Sequence, residues 1–240
     1  MVSKSQIKLI NSLHQKKYRK QHQMFVAEGK KVIAELLQTN VELVALFSTS
    51  PQNFATSVTA TIISEIELKK ITALATPNNC LAVFKIPNAT LPLQNGLILA
   101  LDNVRDPGNL GTIIRLCDWF GIETLVCSEE TVDVYNPKVI QATMGSISRV
   151  NVCYTNLEDY LKNTKLPVFG TFMEGKNIYQ EKLPKKGIIV MGNEANGISK
   201  EIEALITTKI AIPRFGKLQQ TESLNVATAT AIILSEFKRN

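Results

Sequence analysis

The sequence predicts an α/β protein in two parts: a small N-terminal α/β module over residues 1–88, then a larger domain over residues 96–240 built on a parallel β-sheet. Two observations predict it. Short, continuously apolar runs recur at 97–102, 124–127, 168–172, 187–191 and 209–212, with helical periodicity between most of them. Strands apolar on both faces and separated by helices belong to a parallel sheet covered on both sides. Ahead of them, PNATLPLQNG (87–96) gathers two prolines, two asparagines and a glycine, which interrupts either periodicity and marks a linker.

Along the first module, Ile7 to Leu13 has a helical pattern, and a polar, basic stretch runs from His14 to Gln23. Residues 26–37 read as one amphipathic helix, with Val26, Ile33 and Leu37 on one side and lysines on the other. Residues 41–47, 60–63 and 80–86 have the character of strands. In the second part, ligands of a parallel sheet are expected beyond the carboxyl ends of its strands, so the strand-ending loops carry the interest.

A chain of 240 residues can bury roughly 70–75% of its unfolded surface. Its 45% hydrophobic and 20% charged residues are those of an ordinary globular protein. No apolar run approaches the length of a membrane span or leader, so a cytoplasmic location without a membrane is expected. Cys80, Cys117, Cys127 and Cys153 form no C-x-x-C pair and read as reduced packing residues. The net charge of +6 is local: residues 1–31 carry +7 and the remainder −1. That concentration, including Lys16, Lys17, Arg19, Lys20, Lys30 and Lys31, is the footprint of a polyanion such as RNA, although a solvated helix face would look the same.

Three loops hold the candidate chemistry. The first, NVRDPGNLGTIIR (103–115), has a turn-setting Pro107, glycines that allow close backbone approach, and Arg115 about one turn into the next helix. Arg115 offers a forked, permanently charged donor set suited to phosphate; the plainer possibility is a helix capped by Asn109 with Arg115 solvated. The second, MGNEANGIS, brackets Glu194 between Gly192 and Gly197. The third, IPRFGKLQQTESLNVATATAI (212–232), leads into a helix rich in small residues, which Ser223 or Thr221 could cap.

The absences narrow the chemistry. The only histidines are His14 and His22, so the larger domain has no Ser-His-Asp triad, no Cys-His dyad and no imidazole metal site. Neither a phosphate-binding G-x-x-x-x-G-K-[ST] loop nor a dinucleotide G-x-G-x-x-G fingerprint follows its first strand.

Together the three loops resemble the three motifs of the SpoU/TrmH family of RNA 2'-O-ribose methyltransferases, in the SPOUT superfamily. The first matches through Asn103, Asp106, Pro107, Asn109, Gly111 and Arg115; the second through Gly192, Asn193, Glu194 and Gly197. The third matches through Ile212, Pro213, Gly216, Ser223, Leu224, Asn225 and Val226. A looser match, through VAEGKKVIAELL and CLAVFKIP, likens residues 26–87 to the family's RNA substrate-binding module. One departure is the nine-residue spacing between Pro213 and Ser223, longer than in many relatives, which leaves the path of 217–222 open.

The resemblance implies a C-terminal domain with a deep trefoil knot, a homodimer with the site at its interface, and S-adenosylmethionine as methyl donor without a metal. It places Thr171, Gly192, Glu194, Ile212, Ser223, Leu224 and Asn225 around the donor, and gives Arg115, Asn109 and Glu194 to catalysis. A guanidinium stays protonated over the accessible pH range, so Arg115 is expected to bind phosphate and steady the developing alkoxide rather than act as base. Ribosomal RNA is the expected substrate, with transfer RNA second. The competing readings are a non-catalytic RNA-binding or ribosome-assembly protein on the same fold and, remotely, a dinucleotide oxidoreductase.

Overall fold

The computed structural model describes residues 1–51, 54, 58–88, 95–216, 218 and 223–239. The chain forms two compact units, Met1–Asn88 with Asp133–Ser148, and Ala89–Val132 with Arg149–Asn240.

The first unit is a four-stranded sheet in the order β1-β4-β2-β3, made of β1 (Met24–Glu28), β2 (Leu43–Ser48), β3 (Thr61–Ile62) and β4 (Cys80–Lys85). β4 pairs antiparallel with both β1 and β2, and β3 runs parallel to β2. Its helices are α1 (Lys4–Ser12), α2 (Lys16–His22), α3 (Lys30–Leu37), α4 (Glu65–Leu68) and α6 (Pro137–Thr143). Successive strand residues point to opposite faces, and both faces are covered. Val26, Phe47, Leu81 and Val83 pack with Ile10, Leu13 and Leu68, whereas Phe25, Ala27, Ala82 and Phe84 pack with Ile33, Leu36 and Ile140.

This double coverage explains a correction. Residues 26–37 are not one helix: the first three finish strand β1, Gly29 turns at φ 92°, and α3 begins only at Lys30. A short strand buried on both sides shows no alternation, so its apolar residues merged with those of the following helix.

The second unit is a six-stranded, wholly parallel sheet in the order β10-β8-β9-β5-β6-β7. Its strands are β5 (Leu97–Leu101), β6 (Thr124–Cys127), β7 (Asn151–Tyr154), β8 (Val168–Asn177), β9 (Gly187–Met191) and β10 (Thr208–Ala211). The helices are α5 (Pro107–Trp119), α7 (Leu157–Lys162), α8 (Lys200–Glu203) and α9 (Val226–Arg239). β5 and β9 are buried at every position, the reason they read as continuous apolar runs. Edge strand β7 is only partly buried and gave no such signal.

Strand order positions the site. The chain runs outward through β5, β6 and β7, then crosses back to β8 on the far side of β9. The carboxyl ends of β5, β9, β8 and β10 are therefore neighbours at the point where the winding reverses, the place where open parallel sheets bind ligands.

Candidate active site

The first loop leaves β5 with its turn held from both sides. Asn103 sits in the left-handed region at φ 60°, its backbone N–H donates to Ser128 Oγ at 2.9 Å, and its Oδ1 accepts from Arg105 Nε at 2.8 Å. Asp106, not Asn109, caps α5: its Oδ1 accepts the Asn109 backbone N–H at 2.7 Å, with Pro107 in the first helical turn. The side chain of Asn109 is thereby released from capping. Arg115 is exposed on α5 and lies more than two turns into it, deeper than the sequence suggested.

The second loop closes on itself after β9. A Cβ on Gly192 would stand 2.3 Å from the Gly197 carbonyl carbon and 2.4 Å from the Ile198 nitrogen, so no side chain fits there. Asn193 and Gly197 exchange backbone hydrogen bonds at 2.9 Å in each direction. Asn193 Oδ1 accepts from the N–H groups of Ala195 and Asn196, while its Nδ2 donates to the Asn103 carbonyl at 2.7 Å. Loop two is thus tied to loop one. A second tie runs from the Ser199 N–H to Asp102 Oδ2 at 2.7 Å.

The third loop ends at Asn225, whose Oδ1 accepts the N–H groups of Ala227 at 3.0 Å and Thr228 at 3.2 Å. Asn225 is the residue that caps α9. Ser223 lies two residues too early for that position, and Thr221, with the rest of 219–222 and Lys217, lies outside the described residues. Because its oxygen faces the helix, the Asn225 amide must present its nitrogen outward, and Nδ2 donates to Asn109 Oδ1 at 2.8 Å. Asn109 is oriented in turn, and its Nδ2 donates to Glu194 Oε1 at 3.0 Å. A helix cap in loop three therefore fixes an amide in loop one, which holds a carboxylate in loop two; each amide's orientation follows from its neighbour.

The residues expected to hold a methyl donor lie beside strand ends or next to Asn225 in the chain. Thr171 Oγ1 donates to the Val190 carbonyl at 3.1 Å, placing Thr171 beside the end of β9. Ile212 is half-buried just past β10, and Leu224 leaves 48% of its surface open. Backbone groups at the ends of three adjoining strands, with open aliphatic surface at Ile212 and Leu224, suit a nucleoside carrying an amino-acid tail. Ser223 is exposed, and among the described residues no hydrogen bond joins it to Asn225, Asn109 or Glu194. Arg115 lies six residues from Asn109, about 9 Å along α5 and a third of a turn round it, so the two side chains leave the helix in different directions.

The rest of the molecule narrows the chemistry. Burial pushes the Cys80 thiol up to about 11 and drives Cys117 and Cys127 higher still, so none is a ready nucleophile. Among the described residues no group of three or more metal-binding side chains occurs, and no helix is long and apolar enough to cross a membrane.

Residues 96–235 match the SpoU rRNA methylase family model. The chain belongs to that family. Residues 4–82 match the model of an MRM3-like substrate-binding domain. The 23S rRNA (guanosine(2553)-2'-O)-methyltransferase RlmP of Bacillus subtilis is 30% identical over 234 residues, covering 94% of this chain and 93% of its own. A TrmH-family putative RNA methyltransferase from Porphyromonas gingivalis superposes with a TM-score of 0.91 at 39% identity, over 100% of this chain and 99% of its own. The AdoMet-bound rRNA methyltransferase of Sinorhizobium meliloti gives a TM-score of 0.86 at 29% identity, over 100% and 97%. The SpoU-type resemblance and the two-part α/β architecture with a parallel C-terminal sheet are borne out.

For the basic segment the structure separates what the sequence grouped. Lys16, Lys17, Lys20, Lys30 and Lys31 are exposed. Arg19 is not: it is 2% exposed, donates from Nε at 2.9 Å and Nη2 at 2.6 Å to Asp133 Oδ2, and from Nη1 at 2.8 Å to the Leu13 carbonyl. Its expected role in RNA contact is corrected, since every arm of the fork is used inside the first unit. No local signal announced this, because Asp133 is 114 residues away. The capping role of Asn225 did have a signal, an asparagine immediately before a Val-Ala-Thr helix start.

Proposed function

We propose that this protein transfers the methyl group of S-adenosylmethionine to a ribose 2'-hydroxyl of ribosomal RNA, acting in the cytoplasm as a homodimer with the trefoil knot of its family. The observation that carries the reading is the hydrogen-bonded chain from Asn225 through Asn109 to Glu194, which joins all three motif loops at one end of the sheet. The donor supplies an electrophilic methyl carbon on a sulfonium, so the reaction forms a C–O bond, breaks a C–S bond and releases the hydroxyl proton.

The residues of this chain position and polarise. Gly192, Ile212 and Leu224, with Thr171 and Ser223, hold the donor at the strand ends, largely through backbone. Asn109, oriented from α9 through Asn225, keeps Glu194 in place to orient the ribose and exclude water. Arg115 binds the phosphate beside the target and stabilises the oxygen as it loses its proton to water or phosphate. Arg115 and Trp119, one turn further along α5 and 84% exposed, share a helix face. An open tryptophan is a common anchor of protein interfaces, so this face suits a second copy, with Arg115 serving a site at the dimer interface.

The test is ribose-methylation mapping of total RNA from cells with and without the protein, alongside methyl transfer from labelled S-adenosylmethionine by purified protein. One ribosomal RNA ribose should lose its methyl group in the deletion strain, and a guanosine is the first to inspect. A missing mark in transfer RNA would move the substrate, and no missing mark with no donor uptake would favour a non-catalytic RNA-binding protein.

A further inference from the structure

Besides Asn225, Asn109 and Glu194, the second unit exposes an aromatic pair that the methyl-transfer chemistry does not use. Phe215 is 83% exposed and Tyr179 39% exposed, and their rings stack with centroids 6.4 Å apart and planes 29° from parallel. Of the two, the tyrosine is anchored from beneath, and Phe215 stacks on it. Ile178 is 1% exposed and its N–H donates to the Ala211 carbonyl at 3.0 Å, tying the segment to the carboxyl end of β10. The Tyr179 N–H donates to Asn177 Oδ1 at 3.0 Å, which turns the tyrosine outward where the third loop begins. Phe215 is three residues past Ile212, so chain reach keeps their Cα atoms within about 11 Å. The pair therefore stands within reach of Ile212, one of the residues proposed to hold the donor.

We propose that Tyr179 and Phe215 form a stacking platform for an unpaired RNA base next to the ribose being methylated. The chemistry around the pair selects that occupant. Residues 174–186 hold four lysines against two glutamates, and Arg214 precedes Phe215. Exposed aromatic faces among cations are how proteins hold single-stranded RNA, since every base has a π-face and every nucleotide a phosphate. The core of a contact between two copies of a protein is instead depleted of charge. Exposed Trp119 on α5 is the better place for that contact. The inference rests on the RNA methyltransferase function and adds to it a subsite, with a tolerance for base identity that hydrogen-bond recognition would not give.

The probe is a single-stranded RNA twelve-mer carrying one 2-aminopurine, whose fluorescence falls when the base stacks. Wild-type protein and F215W should quench it. F215A and F215L should bind it roughly 5- to 150-fold more weakly, the range found when a stacked aromatic is removed. S-adenosylmethionine affinity and the state of association should stay at wild-type values in all three variants; Phe215 is exposed, so they should also fold. Unchanged quenching in F215A and F215L would overturn the platform, as would a parallel fall in donor affinity, which would put the ring over the donor. Loss of the dimer with RNA binding intact would assign the pair to the copy–copy contact and overturn it too. Failure of the function itself reads out separately, as wild-type protein that takes up no S-adenosylmethionine.

Discussion

Arg19 and Arg115 carry the same group in opposite settings. Arg19, in α2 of the first unit, spends its fork on Asp133 and the Leu13 carbonyl and is sealed from solvent. Arg115, in α5 of the second unit, is exposed and has no hydrogen bond or ion pair among the described residues. A buried guanidinium must be paired or the fold fails, whereas an exposed one can wait for a ligand. In the sequence both are candidates for a polyanion, Arg19 within a dense basic run and Arg115 alone in the first loop. Packing separates them: density of charge along a chain says little about which charge is free.

The largest effect is expected at Arg115. R115A should lower single-turnover methylation about 10²- to 10³-fold, the usual loss when a preorganised donor to a developing anion is removed. Its unfolding midpoint should not move, because the side chain is solvated. R115K keeps the charge without the fork and should fall between; wild-type turnover in R115K would end the role given to this residue. R19A should do the converse. It leaves Asp133 and the Leu13 carbonyl without their partner, at a cost of about 3 kcal/mol in urea unfolding. The second unit's uptake of S-adenosylmethionine should persist under native conditions. An R19A protein of wild-type stability that had lost RNA affinity would restore Arg19 to the RNA surface.

Asn225 tests whether the second unit's loops act together. N225A removes the cap of α9, worth about 1 kcal/mol, and also frees the Asn109 amide. If the chain to Glu194 matters, N225A should slow methyl transfer more than its loss of a cap explains, and N225S, which can still cap but cannot reach Asn109, should be slowed at near wild-type stability. Wild-type rates in N225S would reduce Asn225 to a helix cap.

What was legible follows from what packing does to each signal. The strands of the second unit showed because β5, β6 and β9 are buried throughout and their apolar runs stand between polar turns. The three loops showed because their residue types serve backbone geometry within a few positions, as Gly192 and Asn193 do. Three things did not show. β1 merged with α3 because the break is a single residue, Gly29. Edge strand β7 is half-exposed and short. Residues 133–148 pack with the first unit, Ile140 joining Phe25 and Phe84, through contacts between positions far apart in the chain, as does Asp133 with Arg19. The linkage of Asn225, Asn109 and Glu194 is likewise long-range; the sequence supplied the members, and only the fold supplied the order in which they touch.

The exposed lysines of α2 give a smaller effect. Replacing Lys16, Lys17 and Lys20 together by serine should flatten the dependence of log RNA affinity on log salt, by roughly 0.7 to 0.9 for each phosphate that these side chains neutralise. Thermal stability should barely change, in contrast to R19A from the same helix. An unaltered slope would remove this helix from the RNA interface and leave Lys30 and Lys31 to carry it.

The smallest effect is one of pH, and it belongs to the neighbour of Arg19. His14 is held below its ordinary value of 6.5, first by burial and then by the Arg19 charge, and its Nε2 is buried without a hydrogen-bond partner among the described residues. A group whose folded value is depressed keeps its contribution above 6.5 and loses it as pH falls towards the folded value, because protonation favours the unfolded chain. Wild-type protein should therefore lose more stability between about pH 7.5 and 5.5 than H14Q, read as the shift in urea midpoint. Identical shifts would mean that His14 is hydrated as freely in the fold as in the unfolded chain, and that the Arg19 cluster is less closed than its hydrogen bonds indicate.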